Sequence, residues 1–388
     1  MDASLTVAHA PPAPPAATPV TPTGAPPVLE ATREIAAGPL HALAEAIDRQ
    51  GVYPRQVLHD LGAAGALRPH LEAPVGSGDY GLAIQAMAEV SRVCGATGFM
   101  VWCQQVCGLY LQASGNPALQ GDLLGRHAAG QTLGGTGMSN PMKRFSGIES
   151  LLLRARRVAG GYRVSGTLPW VSNLGPGHYF GAVAGVEDGA PHEFMFLVRC
   201  DGEGVNLREC PSFSGMEGTG TYAVRLQDHF VGDEAIIADP VQPFVRRIRG
   251  AFILLQMGMG LGVAQGAIDS MWEVEPQLGH VNQYLEDRPD ALQAELDELG
   301  ERIFALARTP FETDTDFVVD VLDLRAQAAE FALRATQSAL LHQGARGYLL
   351  SSAVQRRVRE AHFVAIVTPA IKHLRKEIAR LQTEEMPG

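Results

Sequence analysis

The side chains able to do chemistry fall into a few groups. Cys103 and Cys107 lie one helical turn apart, but no second Cys or His pair is spaced to complete a tetrahedral zinc site. Cys94, Cys200 and Cys210 bring the total to five, too few and too irregular for a disulfide framework, so the thiols read as buried and inert. Trp102, Gln104 and Gln105 interrupt an apolar run. An amide in such surroundings needs a hydrogen-bond partner, and Trp102 and Gln105 become candidates to line a substrate cavity. Three further segments combine hydroxyls, glycines and an indole: Gly137-Met138-Ser139-Asn140-Pro141 continuing to Ser146-Gly147, then Pro169-Trp170-Val171-Ser172-Asn173, then Gly215-Met216-Glu217-Gly218-Thr219-Gly220-Thr221. Taken singly, each is as readily a turn or a core aromatic as a binding element.

The chain has 388 residues, 46% hydrophobic and 19% charged, a globular composition with length for more than one domain. Its net charge of −11, with no basic run, sets nucleic-acid binding aside. Residues 1–28 form a Pro/Ala/Thr tract without apolar period, expected to be a flexible tail rather than a secretory signal. The greasiest stretch, 251–268, contains Gln256, Gln265 and several glycines. It reads as a buried core helix, leaving no membrane span and a reducing, cytoplasmic setting.

Residues 29–130 are helical in pattern, with helices expected over about 30–50, from Pro54 to Gly62, through 82–90, and from about 97 to 111. Between 131 and 245 the period changes to two in short runs such as Gly-Tyr-Arg-Val-Ser-Gly and Thr-Tyr-Ala-Val-Arg-Leu, which predicts an antiparallel β domain, a small barrel or sandwich. Helices return over 246–388. Leu292, Leu296, Leu299, Ile303 and Leu306 step as a bundle seam, a second helix spans about 315–341, and a third starts near Ser352 and is interrupted at Pro369. The fold class is therefore α+β and mostly helical: an N-terminal helical domain, a middle antiparallel β domain and a C-terminal helical bundle.

The order and spacing of the three segments within this helix–β–helix plan resemble the acyl-CoA dehydrogenase superfamily of flavoproteins, over nearly the whole chain after the tail. Gly344-Ala345-Arg346-Gly347-Tyr348 is similar to that family's glycine-rich turn, and Arg359-Glu360-Ala361 to its Arg-Asp-Ala. The resemblance implies FAD, or FMN, as cofactor. Met138 and Ser139 would then meet the pyrimidine side of the flavin, Ser146 the pyrophosphate, Trp170 and Val171 the ring, and Ser172 its N5 or O4. Gly344 and Gly347 would approach the dinucleotide of a neighbouring subunit in a homodimer or homotetramer.

Two departures bear on function. The family's catalytic glutamate aligns with Thr368, which cannot act as a carboxylate base near neutral pH. The alternative base of some members aligns with Trp272, leaving Glu273 one residue off. The family's Arg-x-x-Phe-Gly segment is replaced by Gln277-Leu278-Gly279-His280-Val281-Asn282-Gln283, with Arg288 or Arg346 as possible electrostatic substitutes. Thr368, Glu273 and His362 are the catalytic candidates; His373 lies close by, and oxygen-using members of this fold often employ histidine. Three readings follow. The first is a reduced-flavin monooxygenase served by a separate flavin reductase, the second a dehydrogenase with a non-standard base. The third is an inactive relative acting as a scaffold. In either enzymatic reading the substrate is a small organic molecule, and a CoA thioester is not assumed.

Overall fold

The computed structural model describes residues 26–188 and 192–384. The expected tail therefore falls outside the described residues except at its end, where Pro26–Val28 already open a helix. Pro27 supplies the fixed φ that suits a first helical turn. The helix expected over 30–50 forms as one continuous helical run, α1 (Pro27–Ile35) passing into α2 (His41–Gln50) through a wider five-residue π segment at Ala36–Leu40 that accommodates Pro39. Helices α3 (Arg55–Ala63), α4 (Tyr80–Val93), α5 (Gly95–Ala113) and α6 (Asp122–Ala128) complete the N-terminal part.

The middle part holds β1 (Gly134–Thr136), β2 (Leu153–Val158), β3 (Gly161–Val171), β4 (Tyr179–Val186), β5 (His192–Arg199), β6 (Val205–Glu209), β7 (Tyr222–Gly232) and β8 (Ile236–Ala238). A short helix that the period-two pattern does not reveal, α7 (Ser139–Phe145), interrupts them. The strands form one sheet in the order β6-β7-β3-β2-β4-β5-β8, with β1 added on β4. Most pairs are antiparallel, as expected, but β1–β4 and β2–β4 run parallel. The hydrogen-bonded path is open, with β6 and β8 at its ends, yet it folds over itself: Tyr162 of β3 stacks on Phe194 of β5 at 4.0 Å although β2 and β4 lie between those strands, so the two halves enclose one core as the layers of a sandwich do. Alternation along β3 and β7 buries Tyr162, Val164, Leu168, Val224, Leu226 and Val231 in a core separate from that of the helices.

Helix α8 (Val241–Asn282) crosses the protein's main core, followed by α9 (Pro289–Leu306), α10 (Thr315–Gln343), α11 (Ala353–Ile366) and α12 (Ile371–Glu384), with the expected break at Pro369. The greasy segment of α8 is 94% buried within the protein over its most apolar window, as a core helix should be. Its glycines have a packing role. A Cβ on Gly258, Gly262 or Gly266 would come within 2.7, 2.2 and 2.4 Å of the carbonyl oxygens of Ile84, Ala88 and Arg92, so the four-residue spacing lets α8 lie against the backbone of α4. Gly262→Ala is expected to destabilise the protein by about 2 kcal/mol through overpacking, read as a lower urea midpoint at unchanged slope.

Candidate active site

Three backbone segments converge where the sheet meets the bundle. Strand β1 lies so close to the end of β3 that a Cβ on Gly135 would stand 2.3 Å from the Ser172 carbonyl oxygen, and one on Gly137 would stand 3.1 Å from Leu168 Cδ1. The third segment joins through Asn173 N–H donating to Thr219 O (2.9 Å) and Leu174 N–H donating to Gly220 O (3.0 Å). Asn173 fixes the junction. It sits fully buried at φ +63°, a left-handed conformation that asparagine tolerates better than most residues. Its side-chain amide donates to Gly134 O (2.7 Å) and accepts from Tyr53 Oη (2.6 Å). The order Gly137–Ser139, Trp170–Ser172, Thr219–Thr221 is thus one place in space.

The side chains expected to face a ring are displayed here. Trp170 is 58% exposed, which excludes the core-aromatic alternative, while Val171 is buried and pairs with Tyr222 through its backbone. Met138 is buried and precedes α7, whose first turn no side chain caps. Ser139 Oγ lies 2.9 Å from Thr368 Oγ1, Ser146 Oγ 2.7 Å from His373 Nε2, and Ser172 Oγ 2.6 Å from Thr221 Oγ1. The Thr368 hydroxyl is therefore in direct contact with the segment that opens the site.

Behind Thr368 lies a network that sequence reasoning missed. Gln256 donates to the Thr368 carbonyl (3.1 Å) and accepts from Arg325 Nε (2.7 Å), and Arg325 Nη2 donates to Val364 O (2.7 Å). Arg325 is 1% exposed and no salt bridge to it is found among the described residues; burial alone lowers its pKa to about 10, leaving it a cation at neutral pH. Arg325 is flanked in α10 by buried Leu324, Ala326, Ala328 and Ala329, and a charged residue enclosed in this way must be held by partners. Beside it a cavity of about 190 Å³ is lined by Ser146, Arg249, Ile253, Pro369, His373 and Glu377, among others. Burial pushes the Glu377 carboxyl up, but Arg380 and Arg249 outweigh it and the net shift is downward. His373 is lowered chiefly by burial, so its imidazole is neutral, and its Nδ1 is buried without a partner.

The remaining candidates are spread more widely. Gln105 faces the N-terminal helices, its amide donating to Ala66 O (3.3 Å) and Ala83 O (3.4 Å), because packing around α5 supplies those carbonyls. Gln104 clamps the start of β1, accepting from Gly134 N–H (2.8 Å) while donating to His127 O and Thr132 O (2.9 Å each). Trp102 is buried between Phe99 and Phe252, with ring centroids 5.7 and 5.2 Å away. Glu273 is exposed, and at 1.5 Å per residue it lies about 25 Å along α8 from Gln256, the residue that meets Thr368. His362 is exposed on α11, its ring turned back to Val358 O (2.7 Å). Arg288 pairs with Glu275, which neutralises one proposed substitute for the missing arginine. Arg346 is exposed beside Gly347. Gly344 has φ +59° and open space where a Cβ would be, whereas a Cβ on Gly347 would press on Gln343 of its own helix end. Four of the five cysteines are buried and all are free; burial raises the thiols, so they carry no thiolate chemistry.

Comparison with known proteins agrees with this plan. Residues 27–131 match the model of the acyl-CoA dehydrogenase N-terminal domain, and residues 277–368 that of the acyl-CoA dehydrogenase C-terminal domain. The chain is 25% identical over 374 residues to a probable acyl-CoA dehydrogenase of Bacillus subtilis, YngJ, covering 91% of this chain and 96% of that one. It is 23% identical to the human mitochondrial short-chain specific acyl-CoA dehydrogenase, covering 87% and 85%. Among solved structures, butyryl-CoA dehydrogenase from Megasphaera elsdenii superposes with a TM-score of 0.79 at 18% identity, covering 92% and 97%. A glutaryl-CoA dehydrogenase from Mycobacterium smegmatis in complex with FADH2 gives 0.75 at 17%, covering 93% and 94%. The chain belongs to the acyl-CoA dehydrogenase superfamily. Membership supports a flavin-dependent oxidoreductase.

The residues present fit a flavin. An exposed indole, two hydroxyls with lone pairs to spare and an uncapped helix start offer a stacking face, hydrogen-bond acceptors and backbone N–H donors, the mixed contacts a planar heteroaromatic ring makes.

Proposed function

We propose that this protein is a reduced-flavin-dependent monooxygenase acting on a small organic substrate. The observation that carries this reading is the Thr368–Ser139 hydroxyl contact, with a buried guanidinium rather than a carboxylate behind it. Glu377, a carboxylate of the neighbouring cavity, is held ionised by Arg249 and Arg380, which weakens it as a base. A site arranged in this way does not favour removal of a substrate α-proton but suits chemistry that needs none. Bound reduced flavin would supply two electrons to O2, one oxygen atom passing to the substrate and the other leaving as water.

In this reading Ser139, Ser172 and Trp170 hold and orient the ring, with Met138 and Val171 supporting them. Neutral His373 positions Ser146, and the Arg325 cation stabilises negative charge developing near the Thr368 loop. FAD or FMN would be delivered by a separate flavin reductase. The open space at Gly344 and the exposed run Tyr348-Leu349-Leu350 support association with a second copy, as a homodimer or homotetramer. The names of the relatives favour a second reading, a dehydrogenase whose base is not at 368. A scaffold without flavin is the remaining alternative.

One experiment separates the three. Under anaerobic conditions, oxidised holoprotein is mixed with a panel of acyl-CoAs; in parallel, reduced flavin, substrate candidates and 18O2 are combined. Product carrying one labelled oxygen supports the monooxygenase, whereas bleaching by an acyl-CoA replaces it with the dehydrogenase. A protein that takes up neither FAD nor FMN is the scaffold.

A further inference from the structure

Three hydroxyls form a chain at the rim of the site: Ser172 Oγ to Thr221 Oγ1 (2.6 Å), Thr221 Oγ1 to Thr219 Oγ1 (2.8 Å), and Thr219 Oγ1 to the carbonyl of Met216 (2.7 Å). There are three contacts and three hydroxyl protons, and each contact needs one proton. The carbonyl can only accept, so Thr219 donates to Met216 O. Thr219 then has only lone pairs for Thr221, which must donate to it, and Thr221 in turn has only lone pairs for Ser172. Ser172 must donate to Thr221. The chain has a single polarity, set at its buried end, where Thr219 is 2% exposed.

We infer that Ser172 is held as an obligate hydrogen-bond acceptor toward whatever lies against Trp170, and that this selects the reduced form of the cofactor. The inference rests on the flavin reading, in which Ser172 faces the ring edge at N5. That edge presents an acceptor when the flavin is oxidised and an N–H donor when it is reduced. Against a serine whose proton is committed to Thr221, the oxidised ring sets lone pair against lone pair, while the reduced ring completes a fourth link of the chain. Thr219 and Thr221 are thus positioning residues for redox-state selectivity. They act through Ser172 and need not touch the cofactor.

The test measures dissociation constants of FMN and FAD, oxidised and dithionite-reduced, under anaerobic conditions. The wild-type protein is expected to bind reduced flavin about 10-fold more tightly than oxidised, the order of one hydrogen bond gained against one frustrated. Thr221→Val removes the acceptor of the Ser172 proton, and Thr219→Val frees the polarity of the remaining pair. Both are expected to cut the preference severalfold, largely by tightening oxidised flavin. Thr221→Val carries the test alone if Thr219→Val, whose partner carbonyl is buried, fails to fold. Equal or tighter binding of oxidised flavin by the wild type, or a preference that the foldable variants leave unchanged, overturns the inference while the flavin reading stands. No binding of either form overturns both.

Discussion

Trp170→Ala is expected to weaken flavin binding about 100-fold while leaving the unfolding free energy within about 0.5 kcal/mol of wild type. The two effects separate because the indole is 58% exposed. Little of its surface is buried against the fold, so truncation leaves little cavity. The exposed part, more than 100 Å² for a side chain of this size, is worth about 3 kcal/mol when a ring covers it, at roughly 25 cal/mol per Å², and each 1.4 kcal/mol is tenfold in affinity. Flavin fluorescence quenching gives the first quantity and urea denaturation the second. A large loss of stability with flavin affinity unchanged would return Trp170 to a packing role and remove the flavin reading's main support.

Acid should unfold this protein well before its carboxylates are all protonated. His70 and His127 are fully enclosed, and burial lowers their pKa values from 6.5 to about 3 and about 4. Each uses an Nε2–H to donate to a carbonyl, His70 to Gln105 O and His127 to Gln104 O (2.8 Å each). His127 Nδ1 accepts from Tyr179 Oη (2.7 Å), so a second proton has no place. Below pH 6.5 the unfolded chain takes up protons that the folded chain refuses. The stability is therefore complete above 6.5 and is lost as pH falls toward the folded values. At pH 4.5, two units down, each histidine removes about 2.7 kcal/mol, about 5 kcal/mol together. Urea midpoints at pH 7 and 4.5 measure this, and His127→Gln should remove close to half of the pH-dependent loss. A pH-independent midpoint over that range would show that neither imidazole is held neutral.

Legibility of the site followed the distance over which its determinants act. The three-segment motif is legible because each segment is local, and the backbones of β1, the end of β3 and the Thr219–Thr221 segment do meet. The pattern of α5 reveals that the Gln105 amide is buried but not which carbonyls, here those of Ala66 and Ala83, meet it. Helical register points to Glu273 beside Trp272, yet Gln256, a good distance earlier on the same helix, is the residue that reaches the Thr368 loop. The burial of Arg325 is not legible locally because its partners Gln256 and Val364 come from other helices. The open sheet with two parallel pairings was not predictable from alternation, which sets the faces of a strand but not its neighbours.

By itself, the order of residues determined the helix–β–helix plan, the buried glycine-bearing helix and the break before α12. These depend on periodicity, turn chemistry and side-chain type, all of which act within a few residues. Tertiary structure alone decided which hydroxyl meets which and that a cation stands behind Thr368. Those outcomes depend on groups more than forty positions apart being held within 3 Å, an arrangement produced by packing the sheet against the bundle.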